Sequence, residues 1–378
     1  MSRAHRKPIP WIVGALVAAS AALPAAAEDL PIGVFNATTG VYAFGGVPIQ
    51  NGMKLALEEA NQKGLPGGAK FRIVEADTAG DKAQTITLVN QFVRRDKVLM
   101  VLGPTTSVEA TAGAPVANEL QVPLLSTASS MEVLSPGPWS FKVGARATDV
   151  MGSLGKYAME KLGVRRVAFV FDQGNDGFIA QKDALRDAMK SAGATIVSQE
   201  GIQASDSNFL ALATKLADAD IDAVFVAAPA ELSGNLFLQL RQAGLSPKVK
   251  LLGPPTLASQ GFIKTGGKAV EGAYVIADYA PGNAGAVGAA FADNYKARYK
   301  SEPDNWAAMG YSAGLIAVQA FRNAGPNPDR AKIRAELARS NKVPVVIGEG
   351  AWSLDAARNP NYGGAVLVVK NGAFASVK

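Results

Sequence analysis

Short, uninterrupted apolar runs alternate with stretches of helical period along most of this chain. Ile32 to Phe35 reads as a buried strand, and Pro48 is expected to open a helix with Ile49, Met53, Ala56, Leu57 and Ala60 on one face, stopping at Gly64. Phe71 to Ala76 is the next strand, Ile86, Val89 and Val93 mark a helix, and Val98 to Leu102 is an all-apolar strand. A helix over about 108–120 leads into the strand Val122 to Leu125. Strands that are apolar throughout, separated by helices, predict a parallel sheet covered on both faces.

The cycle restarts after Arg146. Val150, Leu154, Tyr157, Ala158 and Leu162 share a helical face, Val167 to Phe171 is a strand, and a helix over about 178–192 precedes a strand near 195–197. Leu212 and Leu216 lie on the next helix, Ala223 to Ala227 is a strand, and Leu232, Leu236, Leu240 and Ala243 define a helix ending at Gly244. The stretch 207–228 repeats the order and length of 84–103, which predicts two lobes of like topology. Helices follow over about 284–299, 306–323 and 329–340, and a closing hairpin over 365–377 turns at Asn371-Gly372, a strong type I′ signal. No low-complexity linker separates the lobes, so the chain is expected to cross between them more than once.

The first residues stand outside this pattern. Arg3, Arg6 and Lys7 precede an apolar run from Trp11 to Leu23, and Ala25-Ala26-Ala27 supplies small residues suited to cleavage before Glu28. The run is shorter than the roughly 20 residues a membrane helix needs. Residues 1–27 are therefore expected to be a signal peptide, and the mature protein to be soluble and periplasmic. The leader holds three of the 38 Lys and Arg residues and none of the 32 Asp and Glu, so the mature balance is 35 − 32 = +3, against +6 for the whole chain. With no basic cluster interleaved with aromatics, no nucleic-acid partner is expected. The leader also carries the only histidine, His5, and the chain has no cysteine. Imidazole-based triads and Cys/His zinc sites are thereby excluded from the mature chain.

Three turns at strand ends attract attention, because ligands of doubly wound sheets bind beyond the carboxyl ends of strands. Gly103-Pro104-Thr105-Thr106-Ser107 opens a helix whose N-terminus suits an anion; the alternative reading is that Ser107 only caps that helix. Ser126-Thr127-Ala128-Ser129-Ser130 is small and hydroxyl-rich. Asp172 to Gly177 opens a second-lobe helix, where Asp176 is a candidate cap. Neither a P-loop nor a dinucleotide fingerprint is present, so no cofactor is expected. Trp306 and Tyr311 read as core or cleft-wall packing.

At these residues the chain resembles periplasmic binding proteins of the leucine/isoleucine/valine type, which feed ABC importers. Thr39 to Gly45 is similar to that family's Ser-Gly-x-x-Ala-x-x-Gly loop, followed by Asn51 to Ala56, and Asp77 to Ala83 resembles its Asp-x-x-x-Asp-Pro-x-x-Ala stretch with Lys82 in place of the proline. Gly103 to Ser107, Ser126 to Ser135, Arg241 to Leu245 and Leu252-Gly253-Pro254 continue the match in order. The resemblance implies two doubly wound parallel-sheet α/β lobes joined by a three-crossing hinge near Thr148, Asp278 and Ile347. Residues 28–148 with 279–348 would form the first lobe, and 149–278 with 349–378 the second.

It further implies a non-catalytic monomer that closes over a small carboxylate-bearing ligand and delivers it to a membrane permease, without metal or cofactor. Ser107 would bind the carboxylate; Ala128, Ser129 and Ser130 would hold an α-ammonium or its equivalent; and Phe44, Asp176, Pro229 and Pro255 complete the expected site. Three of these depart from the family pattern. Asp176 stands where many members carry a tyrosine, Pro229 where amino-acid binders place an aromatic, and Pro255 where they place a glutamate. Amino acids, amides and small organic or hydroxylated aromatic acids all stay open as ligands. A ligand-sensing module and a carboxylate-dependent hydrolase are the competing readings.

Overall fold

In the computed structural model, each apolar run read as a strand between Ile32 and Ala227 contributes one, and the two halves of the chain wind the same way. The structure describes Met1 and residues 29–280, 285–348, 350–362 and 364–377; apart from Met1, the expected leader lies outside them. The first lobe begins β1 (Asp29–Asn36), α1 (Ala43–Lys63), β2 (Lys70–Asp77), α2 (Lys82–Arg94), β3 (Met100–Leu102), α3 (Ser107–Glu119), β4 (Leu124–Ser126) and β5 (Ser140–Lys142). These strands form a sheet in the order β2-β1-β3-β4-β5, with every pair parallel.

The chain then crosses and repeats the plan. The second lobe runs α4 (Ala147–Glu160), β6 (Arg166–Asp172), α5 (Asp176–Ser191), β7 (Thr195–Ile202), α6 (Leu210–Ala217), β8 (Ala223–Ala227), α7 (Ala230–Gln242), β9 (Lys250–Gly253), α8 (Gln260–Gly266) and β10 (Tyr274–Ala277). Its parallel strands take the order β7-β6-β8-β9-β10, matching the first sheet strand for strand. After a second crossing come α9 (Gly285–Tyr299), α10 (Asn305–Ala324) and α11 (Arg330–Ala338), then β11 (Val343–Pro344), β12 (Ala351–Leu354) and β13 (Pro360–Asn361) in a small antiparallel sheet. The hairpin β14 (Ala365–Lys370) and β15 (Ala373–Ser376) finally extends the second sheet antiparallel to β10. Its turn has positive φ at both Asn371 (55°) and Gly372 (70°), as a type I′ hairpin requires.

Each sheet is buried on both faces, the physical reason its strands read as continuous apolar runs. Helices α1, α10 and α11 cover one side of the first sheet, where Phe71 meets Phe321 edge-on at 4.9 Å. On the opposite side Phe35 meets Phe92 at 5.5 Å. Helices α4 and α5 cover one face of the second sheet and α6, α7 and α8 the other.

Two expectations are corrected. Helix α1 starts at Ala43 and not at Pro48, because the Tyr42 carbonyl accepts from the amides of Gly45 and Gly46 (3.1 and 3.0 Å) and winds a first turn ahead of the proline. The third crossing also comes later than Ile347. Trp352 is wholly buried in the first-lobe core and donates its indole N–H to the Val143 carbonyl (3.0 Å). Arg358 donates to the carbonyls of Gly137, Ser140 and Leu134, each at 2.8 Å. Residues 350–361 therefore pack with the first lobe, and the chain leaves it at Tyr362.

The three crossings meet at one phenol. The Tyr362 hydroxyl accepts from the Ala145 amide (3.0 Å) and donates to the Asp278 carboxylate (3.0 Å). Asn305 supports the same carboxylate through its Nδ2 (3.3 Å), and its Oδ1 accepts the amides of Asp278 and Tyr279 (2.8 and 2.9 Å).

Candidate functional site

In a sheet of order 2-1-3-4-5 the chain reverses its direction of winding between the first and third strands, and a crevice opens at their carboxyl ends. In the first lobe that crevice is bordered by the turns after β1 and β3. Thr105 ties them together: its hydroxyl accepts from the Ala37 amide (3.2 Å) and donates to Asn36 Oδ1 (3.1 Å). Gly103 makes the sharp exit from β3 with φ of 107°, and a Cβ there would collide with the Phe35 carbonyl.

Thr106, and not Ser107, caps α3. Its hydroxyl accepts from the Glu109 amide (3.3 Å), while the Glu109 carboxylate returns the contact to the Thr106 amide (2.8 Å) in a capping box. Glu109 also accepts from the Thr78 hydroxyl, and burial pushes its carboxyl above the usual range. The consequence for Ser107 is direct. Its Oγ accepts from the Ser130 amide (3.2 Å), which leaves the hydroxyl proton to donate. The Ser107 and Val108 amides, at the first two helical positions, have no intrahelical acceptor.

The loop after β4 forms the adjoining wall. Ser126 donates to the Pro104 carbonyl (3.0 Å) and accepts from the Ala128 amide (3.0 Å), fixing the two turns side by side. Beneath them lies Lys142, fully buried at the end of β5. Its ammonium donates to the carbonyls of Ser129 and Ser130. Burial drives that group down to about 7, against the opposing pull of the Asp278 charge.

Between this surface and the second lobe lies a cavity of about 80 Å³. At roughly 10–15 Å³ per enclosed water, that is space for about five to eight waters, the scale of one small organic molecule. Ser107, Thr127, Ala128 and Ser129 line one end. Phe44 and Trp306, edge-on at 6.0 Å, form an aromatic wall with Met309. The second lobe contributes Met151 from α4, Asn175, Gly177, Phe178 and Gln181 from the start of α5, and Pro255 with Thr256 from the turn after β9. Asp278 lies at the hinge side, its carboxyl raised by burial.

The lobes touch across the cavity mouth. A Cβ built on Gly177 would lie 2.6 Å from Ser107 Oγ and 2.8 Å from Ser129 Oγ. Tyr42 packs against the second-lobe core, its phenol beside Asn175 and Asp172 and pushed up by burial. The geometry is that of a closed trap.

Of the residues expected in the site, Phe44, Ser107, Ala128, Ser129 and Pro255 line the cavity. Three do not. The Ser130 hydroxyl accepts from the Glu132 amide (3.2 Å) and caps a short turn, so this residue reaches the site only through its backbone N–H on Ser107. Asp176 is exposed at the first position of α5, because Asn175 takes the cap by accepting from the Gly177 amide (2.9 Å). Pro229 is buried at the start of α7, away from the cavity wall. Tyr42, Thr127, Phe178, Gln181 and Asp278 were not among the expected residues. Gln181 follows Gly177 by four positions and so shares its helix face, a signal the sequence carried. Tyr42 lies in the loop Thr39 to Gly45 and Asp278 at an expected hinge crossing, but only the fold brings their side chains to the cleft. Among the described residues no three of His, Cys, Asp and Glu gather to hold a metal.

Two like α/β lobes, a hinge of three crossings and a closed cavity between them define a carrier that encloses a small solute. The chain belongs to the periplasmic binding protein family, whose model matches residues 29–373. Members of this family are periplasmic, non-enzymatic ligand carriers. The chain is 28% identical over 336 residues to the Leu/Ile/Val-binding protein of Escherichia coli (strain K12), covering 87% of this chain and 88% of that one. It is 26% identical over 352 residues to the Leu/Ile/Val/Thr-binding protein of Salmonella typhimurium, covering 90% and 92%. The same fold is seen in the isoleucine complex of a branched-chain amino acid transporter substrate-binding protein from Streptococcus pneumoniae (TM-score 0.83, 24% identity, 92% and 98% covered). It is seen again in the benzoate complex of an ABC transporter solute-binding protein from R. palustris (TM-score 0.83, 21% identity, 93% and 96% covered).

Proposed function

We propose that this protein captures a small carboxylate-bearing solute in the interlobe cavity and hands it to the membrane permease of an ABC importer. The observation that carries this reading is the division of labour at the start of α3. Thr106 serves as the cap, and Ser107 keeps a hydroxyl proton and unpaired first-turn amides at the cavity's end. A carboxylate seated there accepts from the hydroxyl and the amides and meets the positive end of the helix dipole. Below a pH of about 7, where it keeps its proton, Lys142 adds a buried positive charge behind the same loop.

Retention requires closure. A carboxylate at an exposed helix N-terminus gains only about 0.3–1 kcal/mol, whereas micromolar binding requires about 8 kcal/mol. Burying some 200 Å² of a flat apolar body against Phe44, Trp306 and Phe178 is worth about 5 kcal/mol at roughly 25 cal/mol per Å². Only the closed form supplies that contact. The relatives' ligands, branched-chain amino acids and in one structure benzoate, all carry a carboxylate.

A thermal-shift screen over amino acids, aromatic acids, dicarboxylates and amides tests the reading. A ligand at about 100 times its Kd adds roughly 2.7 kcal/mol of stability. The hits are expected to share a carboxylate, to weaken in Ser107→Ala by about 1.5–3 kcal/mol, and to stay chemically unchanged on prolonged incubation. A best ligand without an anionic group, or turnover of any hit, overturns the reading.

A further inference from the structure

Two polar atoms on the cavity wall are buried without a hydrogen-bond partner. One is Oε1 of Gln181, a residue only 7% exposed, on α5 of the second lobe; the other is the indole Nε1 of Trp306, at the start of α10 in the first. Ser126, Thr106 and Asn175 nearby are paired within the protein, and the unpaired Asp172 Oδ2 lies behind Tyr42 and off the cavity wall. Buried polar groups left without partners are uncommon, and each calls for an explanation. A ligand filling the cavity between them is one.

The chemistry of the two atoms restricts that ligand. An indole N–H only donates, so Trp306 needs a ligand oxygen. Gln181 Oε1 only accepts, so it needs a ligand O–H or N–H; were the amide turned over, its NH₂ would take that place and a hydroxyl oxygen would still answer it. Charge narrows the choice further. The second-lobe wall, including Met151, Asn175, Phe178, Gln181 and Pro255, carries no charged side chain. Among the described residues the one carboxylate on the wall is Asp278, which accepts from Tyr362 and Asn305 at the hinge and whose charge is already opposed by the buried Lys142. A ligand ammonium would lose its water there without an uncommitted counter-charge.

Resting on the reading of the Ser107 end as a carboxylate seat, we propose that the cavity selects a hydroxyl-bearing monocarboxylate with no cationic group. Gln181 and Trp306 are its specificity-determining residues.

The test is calorimetric titration with matched pairs differing by one hydroxyl: benzoate with 3- and 4-hydroxybenzoate, and 3-phenylpropanoate with its 4-hydroxy form, with leucine alongside. At least one hydroxylated member is expected to bind about 10-fold or more tightly than its partner, since stranding a buried polar group costs about that much. In Gln181→Leu that ratio should fall to within about threefold. Trp306→Phe, which keeps the ring and removes the N–H, should weaken the hydroxylated member by roughly 5-fold or more. Equal binding within every pair in the unaltered protein, a ratio that survives both substitutions, leucine outbinding every hydroxy acid, or no binding at all each overturns the inference. Carboxylates that bind without hydroxyl preference yet still weaken in Ser107→Ala overturn this inference alone and leave the carboxylate seat standing.

Discussion

Gly177→Ala isolates closure from folding. Gly177 is the second residue of α5, and its φ lies outside the left-handed region, so alanine suits the backbone there. Alanine is worth up to about 1 kcal/mol more than glycine within a helix. Within the second lobe the methyl carbon would lie 3.1 Å from the Asn175 Oδ1 that caps the helix, a tight contact that a shift of a few tenths of an ångström in that side chain relieves, so each lobe by itself tolerates the change. What does not tolerate it is the meeting of the lobes. The new methyl carbon would lie 2.6 Å from Ser107 Oγ and 2.8 Å from Ser129 Oγ, against the 3.4 Å at which ordinary contact begins, overlaps of 0.8 and 0.6 Å. Turning the Ser107 hydroxyl aside would surrender its bond from the Ser130 amide and remove the donor from the carboxylate seat. Overpacking of this kind costs typically about 1–3 kcal/mol, which corresponds to a Kd raised about 5- to 150-fold. Calorimetry with the best ligand from the screen measures that loss, thermal unfolding of the ligand-free protein checks the fold, and small-angle scattering follows compaction on ligand addition. The expected result is weaker binding and incomplete compaction with an unchanged or slightly raised Tm. Unaltered affinity together with full compaction would refute the argument that these lobes close on Gly177.

Three further outcomes follow from the same coordinates. Trp352→Ala should cost about 3–5 kcal/mol and raise hydrogen exchange in β4 and β5 before β6 and β8, because the indole is buried in the first-lobe core; loss of protection in β6 and β8 first would return residues 350–361 to the second lobe. Burial holds the Lys142 ammonium at about 7 instead of 10.5, so between those values the unfolded chain binds more protons than the folded one, and stability should rise with pH across that window. Asp278, raised by burial from 3.8, acts in the opposite sense at the acid end, where stability falls as pH climbs past 3.8. Urea unfolding at pH 7, 8 and 9 should show the rise in the parent and a flatter dependence in Lys142→Met, while affinity for a carboxylate declines as pH passes above 7. Tyr362→Phe strands the Ala145 amide and one oxygen of Asp278 where the three crossings meet, a loss of about 1–3 kcal/mol; a melting temperature equal to the parent's would show that the phenol does not tie the hinge.

Much of the fold was legible in the residue pattern because parallel strands buried on both faces leave an unmistakable trace. Val98 to Leu102, Val167 to Phe171 and Ala223 to Ala227 are apolar at every position; the last two are strand throughout, and the first is strand from Met100. Strands β5, β9 and β10 left weaker traces, since three or four residues such as Ser140–Lys142 draw their burial from neighbours that the local sequence does not name. The carboxylate end of the site was equally readable: strand, glycine turn and hydroxyl-rich helix start lie within one short stretch, 100–107, so local chemistry alone marks it.

The opposite wall was not readable. Whether Asp176 or Asn175 caps α5 depends on one local geometry, and that choice sends the aspartate into solvent and brings Gly177 and Gln181 to the cleft. Tyr42, Trp306 and Asp278 lie far apart in the chain and gain a shared purpose only when the lobes close. Amphipathic period and turn chemistry are properties of neighbouring residues, and they determined the architecture and the anion seat. Ligand selectivity belongs to side chains brought together from two lobes, so the tertiary structure alone decided which of them face the cavity and which are left there without partners.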